Sequence, residues 1–246
     1  MTDMENKLIV ALDVETADEA RRLVTSLRGI AGMFKIGSQL FTAAGPDFVR
    51  EIVESGEKIF LDLKFYDIPN TVAAAGVEAT RLGVSMFNIH ASGGGGMMHR
   101  TAEAVAECAA AEGRARPTIL GVTVLTSSDD ATLREIGVQE KADAMVARLA
   151  QLAAGSGLDG VVASAREVSL VRASVTKPGF VVVTPGVRPM GADSNDQARV
   201  MSPREAIAAG ADFLVVGRPI IAATDPAHAA ELVLEEMQSH AAGSSN

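Results

Sequence analysis

Eight short apolar runs, each followed by a segment of helical pattern, recur from one end of the chain to the other. They are "LIVALDV", "MFKIGSQL", "KIFLDLKF", "MFNIH", "TILGVTVLT", "GVVAS", "FVVVTPGV" and "FLVVGRPI". Runs of this length, rich in β-branched residues and bounded by turn residues, read as strands. The segments between them, such as "TADEARRLVTSLRG" and "SPREAIAAGA", read as helices. Such alternation calls for parallel strands joined by crossover helices. Eight units predict a (β/α)8 barrel, and 246 residues suffice for one such barrel as a single domain, 1–246. A doubly wound open sheet is the other arrangement. Its dinucleotide-binding form would place G-x-G-x-x-G after the first strand, and "ALDVETADEA" has no glycine there.

Composition narrows the function classes. A formal net charge of −9 opposes binding to nucleic acid or an anionic membrane, because both need a positive footprint. A single cysteine, Cys108, leaves no intrachain disulfide and no cysteine-rich metal site; it reads as a small core side chain. The four histidines show no H-x-x-x-H spacing, so no metal site is expected, and His90 and His99 read as structural. The start, "MTDMENKLIV", lacks a basic then apolar leader, and no run approaches the roughly 18 apolar residues of a membrane span. The expected location is the cytoplasm.

In a barrel the C-terminal strand ends carry the chemistry. The polar residues there are Asp13 on the first strand, Lys35 on the second, Asp62 and Lys64 on the third, His90 on the fourth and Thr126 on the fifth. The seventh leads to Arg188 and the eighth to Arg218. The stretch "FLDLKFYDIPNT" puts Asp62, Lys64 and Asp67 in and just after an otherwise buried strand. Alternation sends Asp62 and Lys64 to one face and Leu61, Leu63 and Phe65 to the other. A barrel strand is covered on both sides, so charges there must be paired or functional. Lys64 beside Asp62, with Lys35 on the neighbouring strand and Asp67 nearby, makes a charge array of the kind that tunes proton affinity, with Lys64 as proton donor. A lysine in a barrel can also act as a Schiff-base nucleophile, but flanking carboxylates favour its charged form. A phosphate-ligand sensor without turnover would not require the array.

Gly217 allows close backbone approach to a ligand, and Arg218 can fork onto a phosphate, at the usual phosphate site of such barrels. The run "ASGGGGMMHR" reads as a flexible turn or an anion cradle. "VRPMGADSNDQARVM", 187–201, is the longest polar stretch without helical or strand periodicity and reads as a lid-like loop.

Taken together, D-x-K-x-x-D at Asp62, Lys64 and Asp67, the sequence "DIPNT", and the later motifs "VTVLTS", "TPGVRP" and "GRPI" resemble the orotidine 5′-monophosphate decarboxylase family over nearly the whole chain. Two related groups, the 3-keto-L-gulonate 6-phosphate decarboxylases and the hexulose phosphate synthases, share D-x-K-x-x-D; "DIPNT" and "TPGVRP" favour the orotidylate enzymes. The resemblance implies cofactor-free conversion of orotidine 5′-monophosphate to uridine 5′-monophosphate and CO2 in pyrimidine biosynthesis. It implies that Lys64 protonates C6, that Asp62 lies beside the departing carboxylate, and that Lys35 completes the array. Asp13 would bind ribose hydroxyls with Lys35, while Asp67 and Thr71 would reach the partner's site in a homodimer. Thr126 would meet the pyrimidine edge and Pro185 would line its pocket. Gln197 and Arg218 would hold the phosphate when the loop from Arg188 closes.

Overall fold

A computed structural model of the chain describes residues 4–188 and 201–238. Eight parallel strands close into a barrel in sequence order: β1 (Leu8–Ala11), β2 (Met33–Gly37), β3 (Ile59–Phe65), β4 (Met86–His90), β5 (Thr118–Val122), β6 (Gly160–Val162), β7 (Val181–Pro185) and β8 (Phe213–Val216). β8 pairs back onto β1 through Leu8↔Leu214 to Val10↔Val216, which closes the ring and excludes the open-sheet alternative. The helices around it are α1 (Ala17–Leu27), α2 (Ser38–Glu54), α3 (Pro69–Arg81), α4 (Gly94–Glu112), α5 (Asp130–Glu135), α6 (Ala142–Gly155), α7 (Val168–Ser174), α8 (Pro203–Ala208), α9 (Arg218–Ile221) and α10 (Pro226–Gln238).

Each expected strand is present, but several stop early. β1 ends before Asp13 and β5 before Thr126, while "SQL" opens α2 and "RPI" lies in α9. The residues so released become the rim of the barrel mouth. "ASGGGG" is not a loose turn: Ala91–Gly93 form a short 3-10 turn and Gly94 begins α4. The Gly94 φ of 87° and the closeness of Met97 to Gly93, where an added Cβ would stand 2.4 Å from its Sδ, explain glycine there.

Helix starts follow their local chemistry. The Thr16 hydroxyl accepts the Glu19 N–H at the head of α1, and Ser202 with Glu205 forms a capping box ahead of Pro203 in α8. Strand periodicity then sorts the apolar residues into two cores. Ile9, Ala11, Met33, Phe60, Met86, Leu120, Val183 and Val215 fill the barrel lumen. A larger shell, which includes Leu8, Val10, Phe34, Ile36, Leu61, Phe87 and Val182, packs between sheet and helices. The lumen plug forms an apolar floor directly beneath the charged residues. Among the described residues no helix is long and apolar enough to cross a membrane.

Candidate active site

At the mouth, β1, β2, β3 and β4 deliver polar side chains above that floor. Lys35 Nζ lies 3.0 Å from Asp13 Oδ1 and 3.2 Å from Asp62 Oδ2. Lys64 Nζ donates to Asp62 Oδ1 at 2.7 Å. The pair set deepest is Lys35 and Asp62, whose side chains are 10% and 12% exposed, whereas Lys64 is 36% exposed. Lys64 is therefore not buried, as alternation suggested, but stands at the rim with its ammonium facing the mouth. The alternation itself holds: Leu61, Leu63 and Phe65 pack in the outer core.

Low-dielectric surroundings and close opposite charges compete here, and the charges prevail. Burial works against the Lys35 ammonium, but Asp62 and Asp13 more than offset it and raise its pKa above the ordinary lysine value. Burial likewise opposes the Asp62 carboxylate, but Lys35, Lys64 and Asn88 together hold its pKa below the ordinary aspartate value. Both groups stay charged through neutral pH. His90, half-buried on β4 and edge-on to Tyr66 with centroids 5.6 Å apart, has its pKa lowered by burial and by Lys64. It faces the array as a neutral imidazole. His99 lies on α4 beside Glu103, 3.2 Å away.

Asn88 is the polar residue that sequence reasoning missed. It is fully buried on β4, with Nδ2 donating to Asp62 Oδ1 at 2.7 Å and Oδ1 accepting the Lys64 N–H at 2.8 Å. Lys64 has φ of 53°, the one positive value at a non-glycine among the described residues. A left-handed lysine costs on the order of 1–3 kcal/mol, so neighbouring structure must hold it there. A lone asparagine inside "MFNIH" carries no sequence signal for that role; only its place as a polar residue in the middle of an otherwise apolar strand, next to the D-x-K strand, could have flagged it.

The remaining expected residues divide by place. Gly217 borders the array, as does Gly37, which was not among them; both have negative φ, and a side chain would crowd the lysine only at Gly37. An added Cβ on Gly37 would lie 3.1 Å from Lys35 Nζ, and one on Gly217 would lie 3.5 Å from Asp13 Oδ2. Arg218 opens α9 immediately after Gly217 and is exposed. Pro185 ends β7 on the lumen side of Thr184, and the Arg188 N–H donates to Met201 O at 3.2 Å. Thr126 is exposed in the turn after β5. Asp67 does not join the array within this chain: its Oδ1 accepts the neighbouring Ile68 N–H at 2.6 Å, and it forms no ion pair among the described residues. Residues 66 to 71, Asp67 and Thr71 included, form one exposed run in which Tyr66 is 62% and Ile68 66% exposed. Gln197 lies outside the described residues. A separate surface groove between the Ala91 turn and α6 is lined by Ser92, Gly94, Met145 and Arg148 and holds none of the charged array.

A fixed ammonium at the mouth of a polar-rimmed, apolar-floored cup, braced by a carboxylate and a second lysine, can stabilise a carbanion and protonate it. Residues 6–233 match the model of the family described as "Orotidine 5'-phosphate decarboxylase / HUMPS family". The chain is 58% identical over 237 residues to the orotidine 5′-phosphate decarboxylase of Syntrophotalea carbinolica, covering 96% of this chain and 97% of that one. It is 53% identical over 231 residues to the enzyme of that name from Geobacter sulfurreducens, covering 94% and 95%. The crystal structure of orotidine 5′-phosphate decarboxylase from Lactobacillus acidophilus superposes with a TM-score of 0.82 at 35% identity, covering 94% of this chain and 98% of that one. With its barrel, its charged mouth and a match along nearly its whole length, the chain belongs to the orotidine 5′-phosphate decarboxylase / HUMPS family.

Proposed function

We propose that the protein converts orotidine 5′-monophosphate to uridine 5′-monophosphate and CO2 in pyrimidine biosynthesis, as a cofactor-independent cytoplasmic homodimer built from one barrel domain. The observation that carries this reading is the Lys35–Asp62–Lys64 array at the barrel mouth. In the reaction the C6–carboxylate bond breaks, CO2 departs, and the electron pair remains in an in-plane orbital at C6 that the ring cannot delocalise. Lys64, fixed by Asp62, places a positive charge against that pair and then gives it a proton, forming the C6–H bond; solvent returns a proton to the amine. Asp62 keeps Lys64 charged and aimed, and Lys35 balances Asp62 from the opposite side.

The substrate roles are those the family resemblance implies. Asp13, paired with Lys35, meets the ribose hydroxyls, while Thr126 and Pro185 border the pyrimidine. Arg218, with Gly217 leaving room beside it, takes the phosphate together with Arg188 and Gln197 from the 187–201 loop. Binding the distant phosphate can contribute energy to the reacting centre. The exposed apolar side chains beside Asp67 and Thr71 support a second copy docking there, with both residues reaching its site.

The test follows the fall in ultraviolet absorbance of orotidine 5′-monophosphate with purified protein in excess chelator, beside Lys64→Ala. Loss of signal with the wild type alone is expected. No loss with folded wild type would overturn the reading and direct the assay to 3-keto-L-gulonate 6-phosphate with added magnesium.

A further inference from the structure

The β3–β4 ladder breaks where the charged residues sit. Leu61 pairs with Phe87 and Phe65 with Ile89, so Asp62, Leu63 and Lys64 together stand against Asn88 alone. A bulge leaves main-chain groups without ladder partners, and the positive φ of Lys64 turns its N–H away from the regular pattern. The Asn88 side chain occupies that gap, taking the Lys64 N–H on Oδ1 and giving Nδ2 to Asp62 Oδ1. Its orientation is forced, because a carboxylate only accepts and a main-chain N–H only donates. Asn88 is 0% exposed and pairs across to Leu120 in the lumen plug, so the two bonds form in a closed, apolar setting.

We propose that Asn88 is a positioning residue for the decarboxylation proposed above: one amide holds the Lys64 main chain in its left-handed conformation and fixes the Asp62 carboxylate that braces the Lys64 ammonium. The inference rests on the decarboxylase reading for its rate consequence and on the ladder geometry for its structural one. Asn88 acts through two neighbours. A change in φ at residue 64 swings the whole lysine side chain, so loss of the Asn88 amide moves the ammonium while leaving the ribose and phosphate contacts in place. Serine is too short to bridge both partners, and leucine fills the volume but leaves both unpaired. Aspartate has the right shape, but when ionised it offers only acceptors and faces Asp62 as a like charge.

The experiment compares wild type, Asn88→Ala and Asn88→Asp by steady-state kinetics across pH and by amide hydrogen exchange at Lys64. Asn88→Ala is expected to lose about 100-fold in kcat with KM changed less than about threefold, because misplacement affects the reacting centre and spares binding. Lys64 amide protection is expected to disappear. Asn88→Asp is expected to be poor at neutral pH and to recover relative to wild type as pH falls, since its protonated carboxyl restores one donor and one acceptor. The charged and titratable groups facing this position are Asp62 and Lys64 on β3, Lys35 on β2, His90 on β4 and, beyond Lys35, Asp13 on β1. They titrate in the wild type as well, so the variant-to-wild-type ratio isolates residue 88. A kcat for Asn88→Ala within about threefold of wild type, an unchanged Lys64 protection factor, or a flat Asn88→Asp ratio would each overturn the proposal. If Asn88→Ala fails to fold, the isosteric aspartate variant decides alone. Absence of wild-type turnover would strike the decarboxylase reading instead, and hydrogen exchange at Lys64 would still test the geometry.

Discussion

The two ends of the barrel use aspartate in opposite ways. At the closed end, Asp159 Oδ2 accepts from Arg116 Nη1 at 2.8 Å and from the Ile119 N–H at 2.8 Å. Asp212 Oδ2 similarly accepts from Arg172 and from the Val182 N–H. Each carboxylate there caps the start of a strand and is closed off by a guanidinium that never releases its proton. At the mouth, Asp62 accepts from two lysines and one amide and, among the described residues, from no main-chain N–H. A carboxylate bonded to backbone N–H groups fastens a strand; one surrounded by ammonium groups favours their charged form and holds them in place. Which cation stands beside the aspartate, and whether the main chain joins in, separates scaffold from chemistry.

Substitutions at the two ends should therefore part company in what they change. Lys64→Ala at the mouth is expected to lower kcat by at least about 10⁴-fold while a product analogue still binds; near-normal turnover would break the distinction. Mixing Lys64→Ala with Asp67→Ala should regenerate wild-type sites in hybrid dimers. No regain of activity despite demonstrated subunit exchange would confine each site to one chain. Arg218→Ala is expected to reduce kcat/KM by about 100-fold through lost phosphate binding, and an unchanged value would remove that role. At the closed end, Asp212→Ala should cost about 1–3 kcal/mol in denaturant unfolding, because it leaves the Val182 N–H without its acceptor and removes the Arg172 ion pair, with kcat unaltered. A kcat loss there without destabilisation would erase the contrast.

The smallest effect is pH-linked stability. Asp62 has a folded pKa below its unfolded value, so its contribution is present above the ordinary aspartate pKa and is lost as pH falls through the folded value. Lys35 has a folded pKa above its unfolded value, so its contribution is present below the ordinary lysine pKa and is lost as pH rises through the folded value. Unfolding free energies measured across pH should show both limbs. Asp62→Asn should flatten the acid limb, and an unchanged acid limb would assign it to other carboxylates.

The barrel was legible because each strand is a short run with clear turn signals, and the strand-end rule then pointed to Lys35, Asp62 and Lys64. What stayed hidden depends on register. The sequence "IFLDLKF" reads as simple alternation, and nothing in it reveals that three residues face one across the ladder. Asn88 was invisible for the same reason, since its importance lies in the missing bond it replaces. The glycine run was misread because glycine disfavours helix interiors, whereas here it begins one, where the end of α6 packs so close that an added Cβ on Gly95 would lie 3.3 Å from Oγ of Ser156, the residue that caps α6.

The bulge has a consequence for anyone wishing to transplant this chemistry. Copying Asp62 and Lys64 into a regular strand of another barrel would reproduce the residues and their spacing but not the left-handed turn that aims the ammonium. The portable unit is larger than the motif: three residues set against one, with an asparagine on the next strand to hold them. A graft lacking that asparagine should bind the lysine to its aspartate and still point it at the wrong atom.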